Sequence, residues 1–339
     1  DAVRGEVLGV RNGVGINEVH NFSKFRVAGD RARDWLDRIM AGRIPPPGKL
    51  SLSPMLAPSG RLVGDFTVSC LAEGEFRLNA SYGSQDYHLR WFQQHLEPGV
   101  TVENISDRMT GFQIAGPHAR DVLQSVTLSD VSNAGLPFLG VKRMTIGMTD
   151  CLVQRVSYTG DLGYEIYCDL TSQRQLWQTL SAAGAAFDMR PFGMRAMMSL
   201  RLDRFFGGWH REFSHDYTAA ETGLDRFISF GKAVDFIGRA AAEKERADGP
   251  ARRLAMFEVD AADADVVAWE PLWINGEVQG YCTSGGYSHW ADKSMAFAFV
   301  PSDQLTEDLQ AEIEILGELR AAKRMPAPIF DPEGRRLRG

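Results

Sequence analysis

Phe25-Arg26-Val27-Ala28-Gly29-Asp30-Arg31-Ala32-Arg33-Asp34 returns, loosely, as Phe112-Gln113-Ile114-Ala115-Gly116-Pro117-His118-Ala119-Arg120-Asp121. Each copy reads as a short strand, a glycine turn and the start of a helix. Asp30 is placed to cap the first helix, and Pro117 suits the first turn of the second, where a missing N–H costs little. Trp35, Leu36 and Ile39 give the first helix an apolar stripe, and Val122 and Leu123 begin the same stripe in the second. Two copies are too few for a solenoid. They imply two related strand–helix units within one α+β body.

A β-rich stretch follows each unit. Residues 62–78 alternate like a hairpin around a Glu73-Gly74 turn, and a helix is expected from Gln85 to His95. The second stretch, residues 151–170, is broken by Thr159-Gly160-Asp161-Leu162-Gly163, and a helix is expected over residues 173–183. Another helix, or helix plus turn, is expected over 191–205. Around residues 244–253 the chain turns charged and loses periodicity, which is the expected domain boundary: 1–245 as two interleaved α+β subdomains, 246–339 as a C-terminal β-barrel domain. Short strands at 254–259, 277–283, 295–300 and 310–315, punctuated by Gly and Pro, carry the barrel expectation.

The length, 339 residues, is too great for one ordinary core. A net charge of −7 argues against a nucleic-acid partner. No apolar run is long enough to span a membrane as a helix, and Asp1-Ala2-Val3-Arg4-Gly5 lacks the apolar core of a signal peptide. The four cysteines stand alone in apolar runs, so reduced buried thiols and a cytoplasmic setting are expected. The seven histidines show no ligand spacing, and no metal is expected.

Four motifs carry candidate chemistry. Asp65 interrupts the apolar strand entry Leu62-Val63-Gly64-Asp65-Phe66-Thr67-Val68; it either caps a turn or is held for function, because an unpaired buried carboxylate is costly. Glu165 lies between Tyr164 and Ile166 and so points to the opposite face. It is either a solvent-facing strand residue or a pocket carboxylate able to take two hydrogen bonds from an amino-pyrimidine edge. Arg201, in a largely apolar helix, needs an anion: Asp203's neighbourhood, Glu212, or a ligand carboxylate. Gly285-Gly286, within Thr283-Ser284-Gly285-Gly286-Tyr287, allows close backbone approach, but the spacing of a nucleotide-binding loop is absent.

In this order, Asn21-Phe22-Ser23-Lys24-Phe25, Gly64-Asp65-Phe66-Thr67-Val68, Tyr158-Thr159-Gly160-Asp161-Leu162-Gly163-Tyr164-Glu165, Ser199-Leu200-Arg201-Leu202 and Thr283-Ser284-Gly285-Gly286-Tyr287 resemble the aminomethyltransferase family, the glycine-cleavage T-protein and its relatives. Within it, the chain is most similar to the folate-binding C-terminal part of dimethylglycine and sarcosine dehydrogenases. The resemblance runs from about residue 10 to 331. It implies a three-domain clover leaf around a central folate channel, with a C-terminal all-β barrel. It implies tetrahydrofolate as cofactor, Asp65 as the catalytic carboxylate and Glu165 as the pterin-binding one. Arg201 is expected to contact folate, and Tyr158, Asn79 and Tyr287 to line the channel. Arg195, Arg201, Arg204 and Arg211 are candidates for a basic patch that takes the folate tail.

The implied reaction captures a methylene or aminomethyl carbon from an N-methylated amine, giving 5,10-methylenetetrahydrofolate. The alternatives are demethylation of an S-, O- or N-methyl donor to 5-methyltetrahydrofolate, and non-catalytic folate binding. The last is disfavoured by the presence of Asp65 and the absence of a Lys-Gly-Cys-Tyr-type segment. Two departures stand out. The flavin domain of the dehydrogenases is absent from this sequence, so a flavin-containing domain or subunit is an expected partner unless the chain is a stand-alone transferase. Trp209-His210-Arg211-Glu212 also replaces the relatives' usual Trp-Gly-Arg-Glu, which leaves His210 either shaping the substrate mouth or sitting in a surface loop.

Overall fold

The computed structural model describes residues 2–339. Three sheets organise them. The first has five antiparallel strands, in spatial order Lys49–Leu56, Leu62–Ala72, Glu75–Ser81, Phe22–Ala28 and Thr101–Asn104. The second has six: Arg190–Pro191, Gly15–Glu18, Met109–Ala115, Gly163–Asp169, Thr149–Gln154 and Val141–Ile146. Its one parallel pairing joins Gly15–Glu18 to Arg190–Pro191. The third is a closed barrel of Arg252–Val259, Lys293–Pro301, Glu277–Ser288, Pro271–Ile274, Gln310–Ile315 and Glu318–Met325. The first two sheets are interleaved along the chain, because Gly15–Glu18 belongs to the second sheet and Phe22–Ala28 to the first. The architecture is the expected α+β clover leaf with an all-β barrel.

The repeat lies at the heart of the interleaving. In both copies a strand ends at a glycine with positive φ, Gly29 at 135° and Gly116 at 128°, and a helix starts three residues later at a fully buried alanine, Ala32 or Ala119. Neither helix uses the cap expected of it. The residue before the first helix is Arg31, which makes no side-chain cap bond, and Pro117 lies ahead of His118, outside the second helix. The glycine carbonyls do this work instead: Gly29 accepts from the Ala32 amide at 3.1 Å and Gly116 from the Ala119 amide at 3.0 Å. Both glycines are also packed against backbone. A Cβ on Gly29 would lie 1.9 Å from the Gly99 carbonyl oxygen, and one on Gly116 2.4 Å from that of Gly13. Gly29→Ala is therefore expected to destabilise the chain by about 3 kcal/mol or more, through overpacking and backbone strain together. A denaturant midpoint equal to the wild type would contradict this.

Other expectations shift at their edges. The helices run Gln85–Gln94, Gln173–Gly184 and Met194–Leu202. The charged stretch expected to be irregular is helical, Arg239–Asp248, before the chain turns at Gly249-Pro250. The barrel contains two strands that were not anticipated, Pro271–Ile274 and Glu318–Met325, and the chain opens with a further unanticipated helix, Ala2–Asn12. That helix brings Arg11 inside, where it pairs with Asp161 and, at 2.8 Å, with Asp203. All four cysteines are buried and unpaired. No helix among the described residues is long and apolar enough to cross a membrane.

Candidate active site

Strand alternation decides where the candidate residues point. Phe66, Val68 and Cys70 enter the core of the first sheet with Trp35 and Phe92. Asp65, Thr67 and Ser69 therefore lie on its other face. Phe112, Ile114, Val153, Tyr164 and Ile166 enter the core of the second sheet, which turns Gln113, Gln154, Glu165 and Tyr167 the other way. These two outward faces meet. Gln154 Nε2 donates to Ser69 Oγ at 2.8 Å and to Asn79 Oδ1 at 3.4 Å, from the second sheet to the first. The result is a polar seam inside the molecule.

Glu165 sits in that seam, 7% exposed, and is not a solvent-facing strand residue. Tyr167 donates its hydroxyl to Glu165 Oε2 at 2.7 Å. Burial pushes the Glu165 carboxyl up to about 7; the Tyr167 bond and the charge of Lys24 oppose that rise without cancelling it. Lys24 lies across the first sheet from Asn79. It is fully buried and lowered to about 8 by burial, and its ammonium donates to the Phe22 carbonyl at 2.7 Å. Among the described residues Glu165 has no ion-pair partner. A buried carboxylate without a cation is unfavourable unless a ligand supplies donors.

Asp65 is partly buried on the first sheet's inner face, and burial raises its carboxyl to about 6. Its charge reaches the Tyr158 hydroxyl, which burial holds above its ordinary range and on which Arg201 and Glu212 also act. Tyr158 donates to the Gly207 carbonyl at 2.7 Å and stacks on Phe206. Arg201 is drawn inward. Its guanidinium pairs with Glu212 at 3.2 Å, donates to the Phe206 carbonyl at 3.0 Å, and meets Ser284 on the barrel. Of the open choices for its anion, the structure takes Glu212, while Asp203 serves Arg11. Arg201 thus fastens the barrel to the loop carrying Trp209.

Asn79, Glu165, Asp65 and Tyr158 gather on or beside the seam. Tyr287 does not join them: it lies on the barrel and directs its hydroxyl to the exposed Asp292 at 3.4 Å. It borders a surface cleft of about 820 Å³ also lined by Glu258, Asp263 and Lys323. The four-arginine patch is not formed either. Arg201 and Arg204 are buried and consumed by internal partners, Arg204 by the carbonyls of Phe330 and Asp331, and only Arg195 and Arg211 are exposed. His210 is exposed with φ 64°, the left-handed region that a glycine occupies without strain. Its Nε2 lies 3.1 Å from Ser84 Oγ. No cluster of three His, Cys, Asp or Glu side chains suited to a metal ion occurs among the described residues.

Sequence reasoning missed Lys24, Gln113, Gln154 and Tyr167. A signal was present: Gln113 interrupts the apolar run Phe112 to Ala115, Gln154 follows the apolar Cys151-Leu152-Val153, and Tyr167 shares a face with Glu165 two residues away. No signal in either strand alone said that the two polar faces would meet.

Two interleaved α+β units thus carry a carboxylate-bearing seam between their sheets, and a closed barrel follows them. The GCVT N-terminal domain model matches residues 1–232 and the glycine cleavage T-protein C-terminal barrel domain model matches 252–331. The chain belongs to the glycine-cleavage T-protein, or aminomethyltransferase, family. It is 35% identical to mitochondrial dimethylglycine dehydrogenase of Mus musculus over 100% of its own length and 39% of that protein. It is 32% identical to an aminomethyltransferase of Koribacter versatilis (strain Ellin345), over 96% of this chain and 86% of the relative. A crystal structure of the glycine cleavage system aminomethyltransferase T from Bartonella henselae superposes with a TM-score of 0.89 at 22% identity, covering 97% of this chain and 90% of the other, which shows the shared fold. The chain thus spans well under half the length of the dehydrogenase relatives it matches.

Proposed function

We propose that the chain binds tetrahydrofolate in the seam and transfers to it a one-carbon unit from an N-methylated amine such as dimethylglycine or sarcosine, giving 5,10-methylenetetrahydrofolate. The observation that carries this reading is a pair of carboxylates without ion-pair partners among the described residues, Asp65 and Glu165, on the facing surfaces of the two sheets, both raised by burial. The buried polar atoms fit the proposed ligand. Among the described residues Asn79 Nδ2, Gln113 Oε1 and Gln154 Oε1 have no hydrogen-bond partner, and such atoms are costly unless something fills them. Tetrahydrofolate supplies a nucleophilic amine pair to the carbon.

Each residue then has a task. Glu165 accepts two N–H bonds from the amino-pyrimidine edge, and its charge is stabilised by Lys24 and the Tyr167 hydroxyl. Asp65, mostly ionised at neutral pH, stabilises the cationic iminium donor and passes a proton lost by the tetrahydrofolate amines to the demethylated amine, which leaves as its bond to the captured carbon breaks. The enclosing sheets and barrel exclude water that would release the carbon as formaldehyde. The donor itself is supplied by a flavin-containing dehydrogenase domain or subunit, a reading supported by the 35% identity to dimethylglycine dehydrogenase over the whole chain.

Calorimetric titration of tetrahydrofolate into the purified chain tests the reading. Saturable one-site binding is the expected result. A well-folded chain that takes up no tetrahydrofolate would overturn it.

A further inference from the structure

A cleft of about 580 Å³ lies apart from the seam, within the size range of small-molecule sites. Its floor is apolar, with Ile228, Ala242 and Pro250 buried. Its rim carries four exposed arginines, Arg43, Arg226, Arg246 and Arg253. They come from four segments: the loop ahead of the strand Lys49–Leu56, the turn Leu224–Phe227, the helix Arg239–Asp248 and the start of the strand Arg252–Val259. Nearby, Arg239 and Arg252 pair with Glu243 and Glu221. None of the four rim arginines has an ion-pair partner among the described residues. Two carboxylates also line the cleft: Glu245 accepts the Thr218 hydroxyl at 2.6 Å, and Asp225 acts on Arg226 through its charge alone. Four positive groups against two negative leave an excess of positive charge there, on a chain whose net charge is −7.

Two of the guanidiniums are already oriented. Arg226 lies 4.9 Å over the Phe227 ring and Arg246 4.7 Å over the Phe230 ring. Stacking occupies a face of the guanidinium and leaves its N–H edge for an oxyanion. The backbone adds donors. In the turn 229–232, closed by the Lys232 amide on the Ser229 carbonyl at 3.1 Å, the amides of Phe230 and Gly231 have no acceptor among the described residues, and both residues line the cleft. Successive uncommitted N–H groups beside cations favour an anion. We propose that this cleft binds a small multivalent oxyanion, a molecule with two or more phosphate or carboxylate groups, held by Arg43, Arg226, Arg246 and Arg253. More than one anionic group is needed, because the arginines approach from four segments and a single oxyanion meets only one or two guanidinium edges. The apolar floor takes the carbon body of the ligand. The site stands apart from the proposed chemistry, since neither Asp65 nor Glu165 lines it.

The test is calorimetric titration of sodium pyrophosphate and, separately, of sodium citrate into the purified chain, at about 0.15 M sodium chloride, where diffuse surface attraction is largely screened. One saturable site is expected for at least one of the two probes. Arg226→Gln and Arg253→Gln are each expected to weaken it by about tenfold or more, the scale of a lost charge-assisted hydrogen bond. Arg174→Gln removes the same charge from the exposed face of the helix Gln173–Gly184, outside the cleft, and should change the affinity less than about twofold. Tighter pyrophosphate points to a phosphorylated ligand, tighter citrate to a polycarboxylate, and equal affinity to a site that reads charge; each supports the proposal. A wild type that takes up neither probe overturns it, and needs no variant. So do folded Arg226→Gln and Arg253→Gln proteins that bind as the wild type does, or an Arg174→Gln protein that loses as much as they do, either of which marks an adventitious ion only.

Discussion

Asp65→Asn is expected to leave tetrahydrofolate binding intact and to slow the proposed one-carbon transfer by about 10²- to 10³-fold, the usual scale for losing a positioned acid–base or electrostatic group. The substitution preserves shape and removes charge. Asp65 has no ion-pair partner among the described residues, so folding loses little when it is neutralised. Burial holds its carboxyl at about 6. The wild-type rate is accordingly expected to climb as pH rises through about 6 and then level, as the ionised form fills. The Asn variant has no such limb. The check is the rate at which 5,10-methylenetetrahydrofolate appears, above the uncatalysed background, when the chain receives tetrahydrofolate and a donor generated by a flavin amine oxidase. Mass separates this product from 5-methyltetrahydrofolate. An Asn variant with wild-type turnover removes Asp65 from the chemistry.

The second large effect belongs to binding. Glu165→Gln is expected to weaken tetrahydrofolate by about 10- to 100-fold, the range for losing charge-assisted hydrogen bonds in a buried site. Its signature is pH. The ionised carboxylate is the form that accepts N–H bonds, and in the empty protein it holds its proton up to about 7. Affinity should therefore tighten about tenfold per pH unit on the way up to about 7 and flatten above, with a proton released on binding in acid. The Gln variant should show a flat profile.

The same group tilts stability the opposite way. Its folded value is raised from an ordinary 4.5, so the folded state holds the extra proton between those limits. The contribution of Glu165 to stability is full in acid and is lost as pH rises through about 7. Urea titrations of the ligand-free wild type and Glu165→Gln at pH 5 and 8 separate the two. A variant whose stability difference from wild type does not change with pH would show that Glu165 ionises freely.

The positions of the candidate carboxylates were legible early, each for a local reason. Asp65 breaks an apolar strand entry, and Glu165 alternates against two core residues, so both had to face away from their own cores. Arg201 was equally visible as a buried cation, but its partner was not. Glu212 is eleven residues on, Ser284 is on the barrel, and only packing of the helix Met194–Leu202 against that barrel brings them to one guanidinium. Tyr287 had a motif but no place in the seam, because its strand presents it at the barrel surface.

By itself, then, the sequence determined what repeats along the chain: two strand–glycine–helix units, strand alternation that sorts core from polar faces, and a barrel read from short punctuated strands. Those are properties of a few residues in a row, set by sterics and hydrophobic period. Tertiary structure alone decided that Ser69 and Asn79 would meet Gln154 across two sheets, and that Gln113, Glu165 and Gln154 would share one row. It also decided that Lys24 would lie close enough to lend its charge to Glu165. Strand register and sheet-to-sheet contact are long-range choices, fixed by burying both cores at once, and no local pattern encodes them.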